Sequence, residues 1–62
     1  MTYFKWKIAI GGGHTHVALY AGSGPGNLAK AGTFVLRNEE WVEFERQCVK
    51  PHRNHSVEEL PR

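Results

Sequence analysis

The chain has 62 residues, a formal net charge of +2 at pH 7, and seven Phe, Tyr and Trp residues, an aromatic content typical of a packed fold and not of disorder. A chain of this size forms one domain at most and buries only about 60% of its unfolded surface, so we expect a homo-oligomer. Cys48, the single cysteine, excludes an intrachain disulfide, and no apolar run approaches the roughly 18 to 20 residues that cross a bilayer. We expect a cytoplasmic protein with no membrane partner.

The charges are divided unevenly along the chain. Residues 1–37 contain four lysines and arginines and no acidic residue, whereas residues 38–62 contain all six glutamates. This division predicts either an anionic ligand bound by the first part or attraction between the two parts.

The first predicted strand covers residues 3–10, where apolar residues recur with a period of two. Its apolar side consists of Phe4, Trp6, Ile8 and Ile10. Lys5 and Lys7 lie on the other side. Residues 11–13 are all glycine and can adopt positive φ, so they predict a hairpin turn.

A second strand is predicted over residues 14–21. Thr15, Val17, Leu19 and Ala21 fall on one side of it, and His14, His16, Ala18 and Tyr20 fall on the other. If the first side covers the core, two histidines and a tyrosine share the opposite face with two lysines of the first strand. The candidate ligand-binding residues are therefore Lys5, Lys7, His14, His16 and Tyr20.

The next segment begins with turn-forming residues. Residues 22–27 are predicted as a loop, and residues 28–31 as an irregular stretch or a single helical turn. Residues 32–37 are predicted as a third strand, with Phe34 and Leu36 directed inward.

Residues 39–50 are predicted as a helix. Asn38 is a suitable N-cap, glutamates occupy the first turn, and Pro51 is a stop. The apolar side would contain Trp41, Val42, Phe44, Cys48 and Val49. The alternative is that residues 41–45 form a fourth strand. The remaining residues, 51–62, are predicted to be a polar tail.

Residues 32–44 resemble small uncharacterised actinobacterial and actinophage proteins. In those proteins a short strand leads into a helix that opens with an acidic residue, followed by Trp and, three positions later, by Phe, as Trp41 and Phe44 are spaced here. The resemblance implies a helix after the third strand and a viral or mobile-element origin. It implies no site residues, because those families have no assigned function.

The predicted fold is therefore a small α+β domain over residues 1–50. It consists of a three-stranded antiparallel meander with one C-terminal helix on its apolar face, and the alternative is an all-β four-stranded meander. The predicted core comprises Phe4, Trp6, Ile8, Ile10, Val17, Leu19, Phe34, Leu36, Trp41, Phe44 and Cys48.

The motifs indicate binding and not catalysis. His14 and His16 could share a metal ion, but a complete site needs three or four ligands and the sequence brings no other ligand near them, so we expect no metal and no cofactor. The glycine-rich residues 22–27 lack the Lys-Ser/Thr ending of a phosphate loop. Cations are too sparse for a nucleic-acid partner.

These observations favour a non-catalytic binding or regulatory module, not an enzyme. We expect it to be phage-encoded and to engage a host protein or to sequester an anionic, nucleotide-like small molecule at an oligomer interface. The alternative is a structural or assembly protein of a virion or a larger complex.

Overall fold

The computed structural model describes residues 1–61 as one four-stranded mixed sheet with one short helix; Arg62, the end of the predicted tail, lies outside the described residues. The elements in chain order are β1 (Tyr3–Ile10), β2 (His14–Gly24), β3 (Asn27–Arg37), α1 (Asn38–Phe44), a π-helical segment (Glu45–Val49) and β4 (His55–Glu59). The strand order in the sheet is β3-β2-β1-β4. The chain is thus α+β, and the segment after β3 is helical, not a strand as in the all-β alternative.

The fourth strand corrects the predicted three-stranded antiparallel meander. β2 is antiparallel to both of its neighbours, but β4 is parallel to β1 and lies within residues 51–62, which the sequence predicts to be a tail. Main-chain hydrogen bonds flank the pairing: Phe4 N donates to Asn54 O at 2.9 Å, and Leu60 N donates to Ile8 O at 2.7 Å. A parallel pair needs a crossover connection, and α1 with the π-helical segment provides it.

Two tight connections form the antiparallel part of the sheet. The first hairpin turns through residues 11–13 as predicted, and Gly13 has a φ of 114°, a value that favours glycine. The second hairpin is tighter than the predicted loop over 22–27, because β2 and β3 extend until only two residues separate them. There Gly22 approaches the neighbouring strand so closely that a Cβ would lie 1.7 Å from the Asn27 carbonyl oxygen.

The core lies between α1 and one face of the sheet. Its buried apolar side chains are Trp6, Ile8, Val17, Trp41 and Val49. Partly buried side chains surround them, namely Phe4, Ile10, Leu19, Leu36, Phe44 and Val57. The ring of Trp6 is 6.2 Å from that of Trp41 and 5.3 Å from that of Phe44, so aromatic contacts join the helix to the central strand.

Two members of the predicted core, Phe34 and Cys48, are exposed. Cys48 is exposed, and the fully buried residue of the same helical turn is its neighbour Val49. The cause is the π-helical segment, in which the Lys50 N–H donates to the Glu45 carbonyl at 2.8 Å, so that the turn contains one more residue than in an α-helix. Phe34 keeps 36% of its surface exposed because it belongs to a strand at the edge of the sheet.

The start of the helix also differs from the prediction. Arg37, not Asn38, is the N-cap, and its N–H donates to Glu40 Oε1 at 3.0 Å. The Asn38 side chain instead accepts a 2.8 Å hydrogen bond from the buried Thr15 hydroxyl and donates to the Gly11 carbonyl at 3.4 Å. These bonds fix the helix start against the first hairpin. No helix within residues 1–61 has the length and apolar character needed to cross a membrane.

Candidate functional site

The face of the sheet opposite α1 carries the candidate residues, and we call it the open face. Side chains of directly paired residues lie on the same face of a sheet. Trp6 pairs with Leu19 on the core face, whereas Lys5 pairs with Tyr20 on the open face. By the same alternation the open face carries all five candidate residues: Lys5, Lys7, His14, His16 and Tyr20.

Lys5 and Lys7, the lysines of β1 on the open face, have different surroundings. The Lys5 ammonium forms a 3.1 Å salt bridge with Glu58 on β4. The Lys7 ammonium lies 5.0 Å from the centre of the Tyr20 ring, in a cation–π contact, and no carboxylate of residues 1–61 is within salt-bridge distance of it. Of these two lysines, Lys7 is the one whose charge is not held in a salt bridge and remains available to a ligand.

The salt bridge with Lys5 changes the pKa of the Glu58 carboxylate. A hydrogen bond from Lys5 and the attraction of its positive charge lower the pKa of Glu58 below its ordinary value of 4.5. Glu58 reaches the open face only because β4 pairs with β1, so the sequence prediction of a tail gave no signal for this contact.

A shallow groove of about 360 Å³ crosses the open face beside Lys7. The side chains that define it are mostly apolar or small, with one imidazole and one ammonium: Lys7, Ala9, His16, Thr33, Val35 and Leu60. Its volume is at the lower end of the roughly 300 to 1,000 Å³ found for small-molecule sites. Leu60, the residue directly after β4, also lines the groove. The sequence patterns did not predict this contribution.

His14 lies apart from the groove, at the end of the sheet where the helix begins. It pairs with Arg37, whose guanidinium is 3.4 Å from Glu40 and 3.9 Å from Glu39. The pKa of Glu40 is lowered, first by the Arg37 backbone N–H, then by its side chain, and more weakly by His14. The five candidates therefore share a face, but only Lys7, His16 and Tyr20 gather at or beside the groove.

Neither the histidine pair nor the glycine-rich turn has the surroundings of an established ion site. Within residues 1–61 no group of three or more His, Cys, Asp and Glu side chains could hold a metal ion. The glycine-rich residues 22–27 form a hairpin tip that continues two strands, with Asn27 Nδ2 donating to Ser23 Oγ at 2.7 Å. The groove is the feature of the open face with the shape of a ligand site.

Compared with protein-family models, curated proteins and solved structures, the chain matches none of them. The resemblance of residues 32–44 to actinobacterial and actinophage proteins therefore stays a prediction. The function has to be inferred from the open face itself.

Proposed function

We propose that this protein is a non-catalytic binding module whose open face binds an anionic, nucleotide-like small molecule. The observation that carries the proposal is the position of Lys7. Its ammonium forms no salt bridge within residues 1–61, although its charge also acts weakly on Glu58 of the neighbouring strand, and it lies between the Tyr20 ring and a mostly apolar groove. A ligand with a planar ring and a phosphate matches those neighbours, since the ring can contact apolar side chains while the phosphate accepts hydrogen bonds from Lys7.

The distribution of charge supports an anionic ligand. α1 and the π-helical segment contain four glutamates against the single arginine Arg46, and they pack on the core side of the sheet. The open face carries Glu58, which Lys5 already neutralises. Lys30, paired in register with Tyr20, is a further lysine of this face and, like Lys7, forms no ion pair among the described residues. An anion approaching the open face therefore meets positive charge that the protein has not compensated.

Binding can be tested with three probes: ATP, adenosine and inorganic triphosphate. We expect ATP to bind most tightly, with a Kd on the order of 100 μM, because a shallow groove buries only part of a ligand. Isothermal titration gives the affinity, and amide shifts in two-dimensional NMR locate the contact. Binding should weaken as salt rises, because exposed charges are screened.

A matched pair of variants separates the groove from general electrostatics. Lys7→Gln should weaken ATP binding roughly tenfold, the loss expected for one charge-assisted hydrogen bond. Lys50→Gln makes the same charge change at an exposed residue after the π-helical segment and should leave the affinity unchanged. His16→Ala should also weaken binding, since His16 lines the groove. Failure of all three probes to bind, or equal losses in the two lysine variants, would refute the proposal.

A further inference from the structure

The two edges of the sheet are built differently. β4 has five residues, carries Glu58 and Glu59, and is followed closely by Pro61, all features that discourage pairing with another strand. β3 has eleven residues with a register irregularity at Ala31, and the regular stretch after it, residues 32–36, contains neither a charged residue nor a proline. An uncharged, extended edge of this length is a surface on which another strand can pair.

The main-chain groups that β3 directs outward can be identified from its register. Asn38 N donates to Gly13 O at 3.2 Å, so residue 38 faces β2. Because successive residues of a strand direct their N–H and C=O groups to alternate sides, Phe34 faces β2 as well, and Thr33 and Val35 face away from it. Among residues 1–61 no strand pairs with this outer side, since β3 ends the sheet order.

Both faces of this edge expose apolar side chains. Phe34, on the core face, keeps 36% of its surface exposed, and Val35, on the open face, keeps 52%. The centre of the Phe34 ring is 6.3 Å from the ring centres of Trp6 and Phe44, so Phe34 forms the exposed border of the aromatic core. A second strand placed against β3 would cover both side chains at once.

We propose that a second copy of this chain pairs antiparallel with β3, with the two-fold axis at Phe34. Phe34 then lies opposite Phe34 of the second copy, and Thr33 lies opposite Val35 of the second copy. The two Thr33–Val35 pairs exchange main-chain hydrogen bonds through groups that β2 does not use. The result is one continuous eight-stranded sheet with a self-complementary interface, as two-fold symmetry requires.

This register also separates the charges at the ends of β3. Arg37 falls opposite Ala31 of the second copy, and Lys30 lies beyond the register irregularity at Ala31, where the second copy has left the strand for α1, so no two cations face each other. Thr33 and Val35 line the groove, and the pairing brings Val35 and Thr33 of the second copy next to them. The two grooves therefore become neighbours across the axis. The pairing rests on the edge of β3 and requires no ligand, so it stands or fails separately from the proposed function.

Cysteine cross-linking tests the register in a Cys48→Ser background. At the two-fold axis the copies of residue 34 form a pair without main-chain hydrogen bonds, with Cα atoms about 4.5 Å apart, which is within the range of a disulfide. Phe34→Cys should therefore give a covalent dimer on mild oxidation. Val35→Cys is the matched control, because its two copies would be roughly 8 to 9 Å apart, too far for a disulfide. Equal cross-linking of both variants would overturn the register.

Sedimentation equilibrium tests the pairing without disturbing the aromatic core. We expect the unmodified protein to dimerise with a Kd on the order of tens of micromolar, as for a small interface. Val35→Pro removes an outward N–H that β2 does not use, and proline is tolerated on edge strands, so this variant should be monomeric and still folded by circular dichroism. A monomeric unmodified protein at about ten times that Kd, or a folded Val35→Pro variant that remains dimeric, would overturn the proposal.

Discussion

Replacing Gly22 with alanine should markedly destabilise the hairpin formed by β2 and β3. A Cβ at this residue would lie 1.7 Å from the Asn27 carbonyl oxygen and 2.8 Å from the carbonyl carbon. Both are main-chain atoms, so no side-chain rotation can relieve the overlap and the strand itself must move. Overpacking of this kind costs about 1 to 3 kcal/mol or more, and in so small a domain each kcal/mol lowers Tm by roughly 4 to 8 °C. We expect thermal unfolding, followed by circular dichroism, to show Tm lowered by roughly 10 to 20 °C.

Gly24→Ala is the control for this prediction, because it adds the same methyl group two residues further along β2. A Cβ at Gly24 meets no atom within 4 Å, and its φ is not in the left-handed region. The free energy of unfolding should therefore change by less than about 0.5 kcal/mol, or rise slightly because alanine restricts the unfolded chain. The close approach would be refuted if the Gly22→Ala protein had the same Tm as the unmodified protein, or if both variants lowered Tm equally.

Two further predictions concern the π-helical segment and the Glu58 salt bridge. In urea unfolding, Val49→Ala should cost about 2 kcal/mol and Cys48→Ala less than about 0.5 kcal/mol, whereas the reverse order would indicate a regular α-helix with Cys48 inside. Lys5 lowers the pKa of Glu58 in the folded state, so the stability this carboxylate contributes is complete above its ordinary pKa of 4.5 and is lost as pH falls through the lowered value. Glu58→Gln should therefore flatten the decline of Tm between about pH 5 and about pH 3, and Glu59→Gln should not; equal slopes in the two variants would contradict the assignment.

The sequence predicts the two faces of the sheet well because side-chain direction in a strand depends only on alternation. The pairs Trp6–Leu19 and Lys5–Tyr20 lie on the faces that the pattern assigns to them. The same reasoning does not identify β4 as a strand, because Val57 is its only apolar residue and its partner strand is remote in sequence. Apart from Val57, which packs against the core, its pairing relies on main-chain hydrogen bonds that leave little pattern in the sequence.

The same limit applies to the candidate site. Alternation brings Lys7, His16 and Tyr20 to one face, but it cannot tell which lysine is neutralised, because Glu58 belongs to the unpredicted strand. The groove is unpredictable for the same reason, because one of its lining residues, Leu60, follows the unpredicted strand β4. In the helix, a single added residue in one turn exchanges an exposed residue for a buried one, and composition gives no sign of such a change.

The position of β1 between β2 and β4 has a consequence for the order of folding. The β1–β2 hairpin closes through a short turn, and such hairpins form in about 1 to 10 μs. β4 follows α1 in the chain and pairs with a strand about 50 residues away, and contacts so distant in sequence tend to form late because the loop entropy must be paid first. Until then one side of β1 remains unpaired beside the apolar residues Trp6 and Ile8. Another chain could pair with this edge before β4 does. We therefore expect the speed of β4 pairing to affect the yield of folding more than the stability of the folded protein.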